Sequence, residues 1–270
     1  MLWQAVGLAG CLSAIGTGLA VAVAPLHTDV ADGVARLVSG ALSGHPLAGL
    51  GLYEALGLTL ATDVTVVLLA GLGATVARTV RSRARHRLLL DLVASPSHAV
   101  PGAMVLEHPS PVAYCIPGRH RRIVLSAGAI EILGRHEIDA VVAHEEGHTH
   151  ARHDLVILPF ASMVDLLRWM PYARRAPSAV TTLLEMAADD FAARLHGRTT
   201  VATALAHIAE AGSGAIPACS FGASNTAVVQ RVRRLLDTTS NSRSIAMGAA
   251  LVSAIALASP IVAAALAGPR

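Results

Sequence analysis

Residues 2–24 form an apolar run without a single charge, long enough to cross a bilayer core of about 30 Å. A cleaved signal peptide competes with this reading, but no basic segment precedes the run and the run is long for one. A second apolar stretch covers about 50–77, with Glu54 and Asp63 inside it. Asp63 falls mid-span, where an ionisable group marks either a function or a capped or kinked helix. Residues 25–49, richer in Gly and polar groups, read as a loop, with 34–50 as a further weak span. Arg78, Arg81, Arg83, Arg85 and Arg87 then follow the second stretch closely, the pattern of a cytoplasmic stop. A last uncharged stretch, 245–267, is preceded by Arg231, Arg233, Arg234 and Arg243, so both Arg clusters place the intervening domain on the cytoplasmic side. The expected organisation is a membrane region over 1–87, a cytoplasmic domain over 88–244 and a C-terminal transmembrane helix over 245–270. Such a chain is a multi-pass protein of the cell membrane, with the lipid bilayer as one partner.

Inside the domain, Met104–Glu107, Val112–Ile116 and Arg122–Ser126 read as short strands, punctuated by Pro109, Pro111 and the Pro117-Gly118 pair. From Ile130 onward the pattern turns helical, so the expected fold class is α+β and mostly helical. Leu155–Met170 is apolar but short, and it contains Pro159, Asp165 and Arg168. It reads as an amphipathic or re-entrant segment and not as a crossing.

Composition sharpens this picture. The chain is 53% hydrophobic and only 14% charged, with 3% aromatics, a mixture of small aliphatic residues that suits helices packed in lipid. A net charge of +3 raises nucleic acid as a partner, yet no aromatic–basic interleaving or DNA-binding motif accompanies it. Cys11, Cys115 and Cys219 have no metal-type spacing and suggest neither disulfides nor a Cys zinc site.

The candidate chemistry lies in His144-Glu145-Glu146-Gly147-His148. On a helix, His144 and His148 share one face a turn apart, so both imidazoles can reach one zinc ion at about 2.0–2.1 Å. Glu145 follows the first ligand, placed to take a proton from the water that such a metal activates. Glu146 reads as a solvent-facing or helix-pairing residue. Glu185 and Asp189 are four apart in a helix-prone segment. Glu185 can complete a three-ligand site with an open fourth position, and Asp189 can accept the free N–H of a ligating His and fix its tautomer. A shared ion requires both motifs on one side of the bilayer, a second reason against a crossing at 155–170. His150 and His153 do not complete a longer His signature, because Asp154 stands where the third His would be, and both read as surface residues. His196 and His207 read as core or surface residues, with oxyanion donation the sharper alternative.

Over about residues 85–240 these features together resemble the BlaR/MecR-type antirepressor metallopeptidases. The resemblance rests on Ala113-Tyr114-Cys115-Ile116-Pro117-Gly118, Ile123-Val124-Leu125-Ser126, His144–His148, Arg152-His153-Asp154, Arg168-Trp169-Met170-Pro171 and Glu185–Asp189. It implies a zincin-like (gluzincin) domain between membrane helices, binding one zinc ion through His144, His148 and Glu185. It further implies a catalytic Glu145, beside which the spacing argument places Asp189, a substrate-aligning edge strand around Val112–Ser126 and a protein substrate such as a transcriptional repressor. The chain departs from the β-lactam sensors of that family. No penicillin-binding domain is expected after the last span, and these residues, with no Lys among them, offer no Ser-x-x-Lys acylation site. HtpX-type quality-control peptidases share the motifs but place two spans between them, and Arg231 resembles an Arg late in both groups' domains. A non-catalytic adaptor with a relic zinc site is a further alternative, opposed by the intact Glu145.

Overall fold

The chain enters its sheet from a helix much longer than the apolar stretch at its start. In a computed structural model, residues 30–45, 50–97, 100–118, 121–168, 175–212 and 225–237 are described, with Ser13, Ile15 and Gly16 besides. The expected spans over 2–24 and 245–267 lie outside the described residues. The expected loop over 25–49 instead contains a helix, α1 (Val30–Leu42). Its Val30, Val34, Val38 and Leu42 recur at four-residue spacing, a helical stripe that the interspersed glycines obscure.

Helix α2 (Leu52–Val93) has 42 residues, which at helical rise is about 63 Å. By length and composition it can cross a membrane. Leu56, Leu60, Val66, Val67 and Leu69 are all more than half exposed and point in several directions around the axis. A helix apolar on all sides and unburied suits lipid, since in water such a surface is unfavourable. The helix continues through the arginines, so the expected domain boundary at residue 87 falls inside a continuous helix. Of the chain's two compact units, one spans Ala74–Ser240 and holds the rest of the described fold.

That unit contains a four-stranded sheet of β1 (Ala94–Pro96), β2 (Ala103–Leu106), β3 (Ala113–Ile116) and β4 (Arg122–Ser126), in the order β1-β2-β4-β3. The β2–β4 pair is parallel and the other two are antiparallel. β3 is therefore an edge strand. Strand alternation assigns the two faces of β4: Val124 packs with Leu90 of α2 and Ile116, while Ile123 and Leu125 face the helices. β1 has no expectation in the sequence reading; three residues containing Pro96 carry too little periodicity to announce a strand.

After β4 come α3 (Ala127–Ile132), α4 (Arg135–His150), α5 (His153–Val156), α6 (Leu158–Leu166), α7 (Arg175–His196), α8 (Arg198–Ala211) and α9 (Asn225–Leu236). Ser126 caps α3, accepting from Ala129 N at 3.1 Å, and the same hydroxyl accepts from Val112 N at 2.8 Å. Helix α4 opens where Glu137 reaches back to the Gly134 N–H at 2.8 Å. Its Ile138 and Val141 pack under the sheet with Ala204 of α8, and its Ala140 and Ala143 pack with Ala192 of α7, Val201 of α8 and Leu235 of α9. The apolar segment after 155 resolves into α5 and the nine-residue α6. Nine residues reach about 13 Å, under half a bilayer core.

Candidate metal centre

The crossing of α4 and α7 creates the site. At Gly147 a Cβ would lie 3.2 Å from Phe191 Cβ and 3.3 Å from Ala188 Cα, so the missing side chain lets the two helices approach closely. Ala188 is fully buried at this contact and sits between Glu185 and Asp189, which brings Glu185 over the His pair and Asp189 behind His144. His144 Nε2 and His148 Nε2 are 3.2 Å apart. Glu185 Oε2 lies 3.3 Å from His144 Nε2, and its Oε1 lies 3.3 Å from His148 Nε2. One ligand atom from each residue therefore falls within a single small cluster that could hold a metal ion. Two donors about 2.0–2.1 Å from a tetrahedral zinc ion stand roughly 3.3 Å apart, so the three residues present fit that ion.

Asp189 is fully buried behind His144, its Oδ1 3.0 Å from His144 Nδ1, in ion-pair range but off the line of a well-aligned hydrogen bond. Arg231, from α9 and only 5% exposed, grips Asp189 from the other side. Its Nη2 donates to Oδ1 at 2.7 Å and its Nε to Oδ2 at 2.8 Å, while Nη1 lies 3.0 Å from Glu185 Oε2. Its burial and its fork onto two carboxylates set Arg231 apart from an ordinary charged helix end. Neighbouring Asp190 pairs with Arg234.

These charges set the protonation of the site. Burial would lower His144, but Asp189 and Glu185 beside it outweigh this and push its pKa up to about 9. Burial acts in the opposite sense on Glu185, yet its contacts with His144 and His148, with Arg231 behind them, hold it well below the usual carboxylate range. A carboxylate backing an imidazole makes it a more basic metal donor. Glu145 is raised, burial outweighing the two His, and the backbone N–H of Cys115 on β3 faces its carboxylate. The edge strand thus runs beside Glu145. Glu146 pairs with Arg121 at 2.8 Å, tying the start of β4 to α4.

His153 departs from expectation. It is not a surface residue but 7% exposed, with its Nδ1 2.9 Å from His148 Nδ1. The chain leaves α4 and turns back through Arg152 in the left-handed region, φ 50°. That conformation costs a non-glycine residue about 1 kcal/mol. No helical period predicts such a reversal. His150 is exposed, stacked on Phe191, and His207 pairs with Glu137 at 3.1 Å.

Residues 79–179 match the family model of peptidase family M48. The matched region includes His144, Glu145 and His148 and stops short of Glu185. The match supports a zincin metallopeptidase of the M48 family and does not extend to the antirepressor subtype. No curated protein matches the chain, and no solved structure matches it.

Proposed function

We propose that this chain is a membrane-anchored zinc endopeptidase acting on a cytoplasmic or membrane-proximal protein. The observation that carries the reading is the donor triangle of His144, His148 and Glu185, with nitrogen–nitrogen and nitrogen–oxygen edges of 3.2 and 3.3 Å. One zinc ion held by these three residues would supply Lewis acidity toward a carbonyl and acidify a water, with a fourth position open. Glu145 takes the proton of the attacking water and returns it to the leaving amine. Its raised pKa, caused by burial, suits a group that must both accept and release a proton. Asp189 holds His144 in orientation, and Arg231 keeps Asp189 and Glu185 ionised. β3 offers an edge to an extended substrate segment beside Glu145.

Multi-pass membrane location, with the catalytic unit facing the cytoplasm, is supported by the apolar turns of α2, by the arginines that follow them and by the uncharged stretch over 245–267. Three of those arginines also have partners within the unit: Arg78 with Asp165, Arg83 with Asp154 at 2.9 Å, and Arg87 with the Pro117 carbonyl. A transcriptional repressor as substrate rests on the resemblance over 85–240 alone. A second reading, a membrane quality-control peptidase with broad substrates, rests on the motifs shared with HtpX-type peptidases, and the M48 match carries no substrate class for either.

The test compares wild type with Glu145→Gln in native membranes, scoring new protein N-termini by mass spectrometry. Cleavage products appearing only with wild type are the expected result and identify the substrate. Matched profiles from two proteins that both hold zinc would instead favour a non-catalytic adaptor.

A further inference from the structure

We infer that His153 is a positioning residue for the second histidine ligand, His148. The inference rests on the metal-centre reading above and adds to it a residue outside the zinc motif. A histidine that ligates through Nε2 carries its proton on Nδ1, and that N–H must be met to fix the ring. For His144 the group facing Nδ1 is Asp189. For His148 it is His153, whose Nδ1 lies 2.9 Å away with the two rings nearly perpendicular at 83°. With the proton on His148 Nδ1, the lone pair of His153 Nδ1 accepts it, and His153 carries its own proton on Nε2. The two ligands thus have different supports, a carboxylate behind His144 and an imidazole behind His148.

The placement of His153 is built into the fold. It is 7% exposed at the start of α5, directly after the left-handed turn at Arg152 that brings the chain back under the last turn of α4. The next residue, Asp154, is tied to Arg83 of α2 at 2.9 Å, with side chains 18% and 28% exposed respectively. The turn on one side and the ion pair on the other hold the His153 backbone where its ring meets His148.

The test measures zinc affinity of the full chain in detergent by chelator competition, for wild type, His153→Ala and His153→Asn. The Asn carboxamide oxygen falls near the place of the imidazole Nδ1 and restores an acceptor. His153→Ala should bind zinc about 10- to 100-fold more weakly, and His153→Asn should recover most of that loss. The cobalt-substituted proteins should follow the same order, the Ala variant showing an altered visible spectrum and the Asn variant approaching wild type. Wild-type affinity in His153→Ala overturns the inference. Equal losses in both variants, accompanied by equally lowered metal-free melting temperatures, also overturn it, because they assign His153 to packing alone. A wild-type chain that binds no zinc overturns the metal-centre reading itself, a result distinct from either.

Discussion

At the residue scale, the most demanding group in the site is Arg231. Its guanidinium satisfies Asp189, which is fully buried, and also reaches Glu185. Removing one partner of a buried ion pair leaves an uncompensated charge and typically costs about 3–5 kcal/mol. Arg231→Ala should therefore lower unfolding stability by roughly that amount in a denaturant titration. A loss within about 0.5 kcal/mol, the range of ordinary surface substitutions, would contradict its structural role. The His144/His148 pair and the Glu185/Asp189 pair were legible in the sequence because four-residue spacing converts directly into a shared helix face. Arg231 and His153 were not, for different reasons. One Arg among three on a basic helix has no local signature of burial. His153 lies beyond a helix end, and its position depends on the left-handed Arg152 turn, which no periodicity encodes.

At the element scale, the candidate metal centre depends on how closely α4 and α7 approach. Gly147 lies between Glu145 and His148, at a position where a Cβ would press on Phe191 and Ala188. A Leu there must displace α7, and with it Glu185. Gly147→Leu should lose stoichiometric zinc while α4 retains its helicity, measured by metal analysis together with circular dichroism. A Gly147→Leu protein that binds zinc like wild type would show that the close approach is incidental. The strands were largely legible: the readings over 104–107, 112–116 and 122–126 overlap β2, β3 and β4. Their order was not, because the crossover that puts β4 between β2 and β3 depends on tertiary packing. Helix α1 was read as loop because its glycines hide a regular apolar stripe.

At the scale of the whole molecule, α2 links an apolar, outward-facing stretch to arginines that bond within the second unit. Arginines whose spacing reads as a membrane-orientation signal therefore also ion-pair with Asp154 and Asp165 in the fold, a role that the sequence does not announce. Orientation has its own test. A single cysteine at Glu107, an exposed position, in a background without Cys11, Cys115 and Cys219, reports which side that unit occupies. A membrane-impermeant maleimide should label it only after the cells are opened. Labelling in intact cells would reverse the proposed topology.

The central claim is that His144, His148 and Glu185 form one metal site, and metal content tests it most directly. The full chain purified in detergent should carry one zinc per molecule, as should Glu145→Gln, while His148→Ala and Glu185→Ala should carry none. Stoichiometric zinc that survives in Glu185→Ala, or a wild-type chain that holds none, would contradict the account.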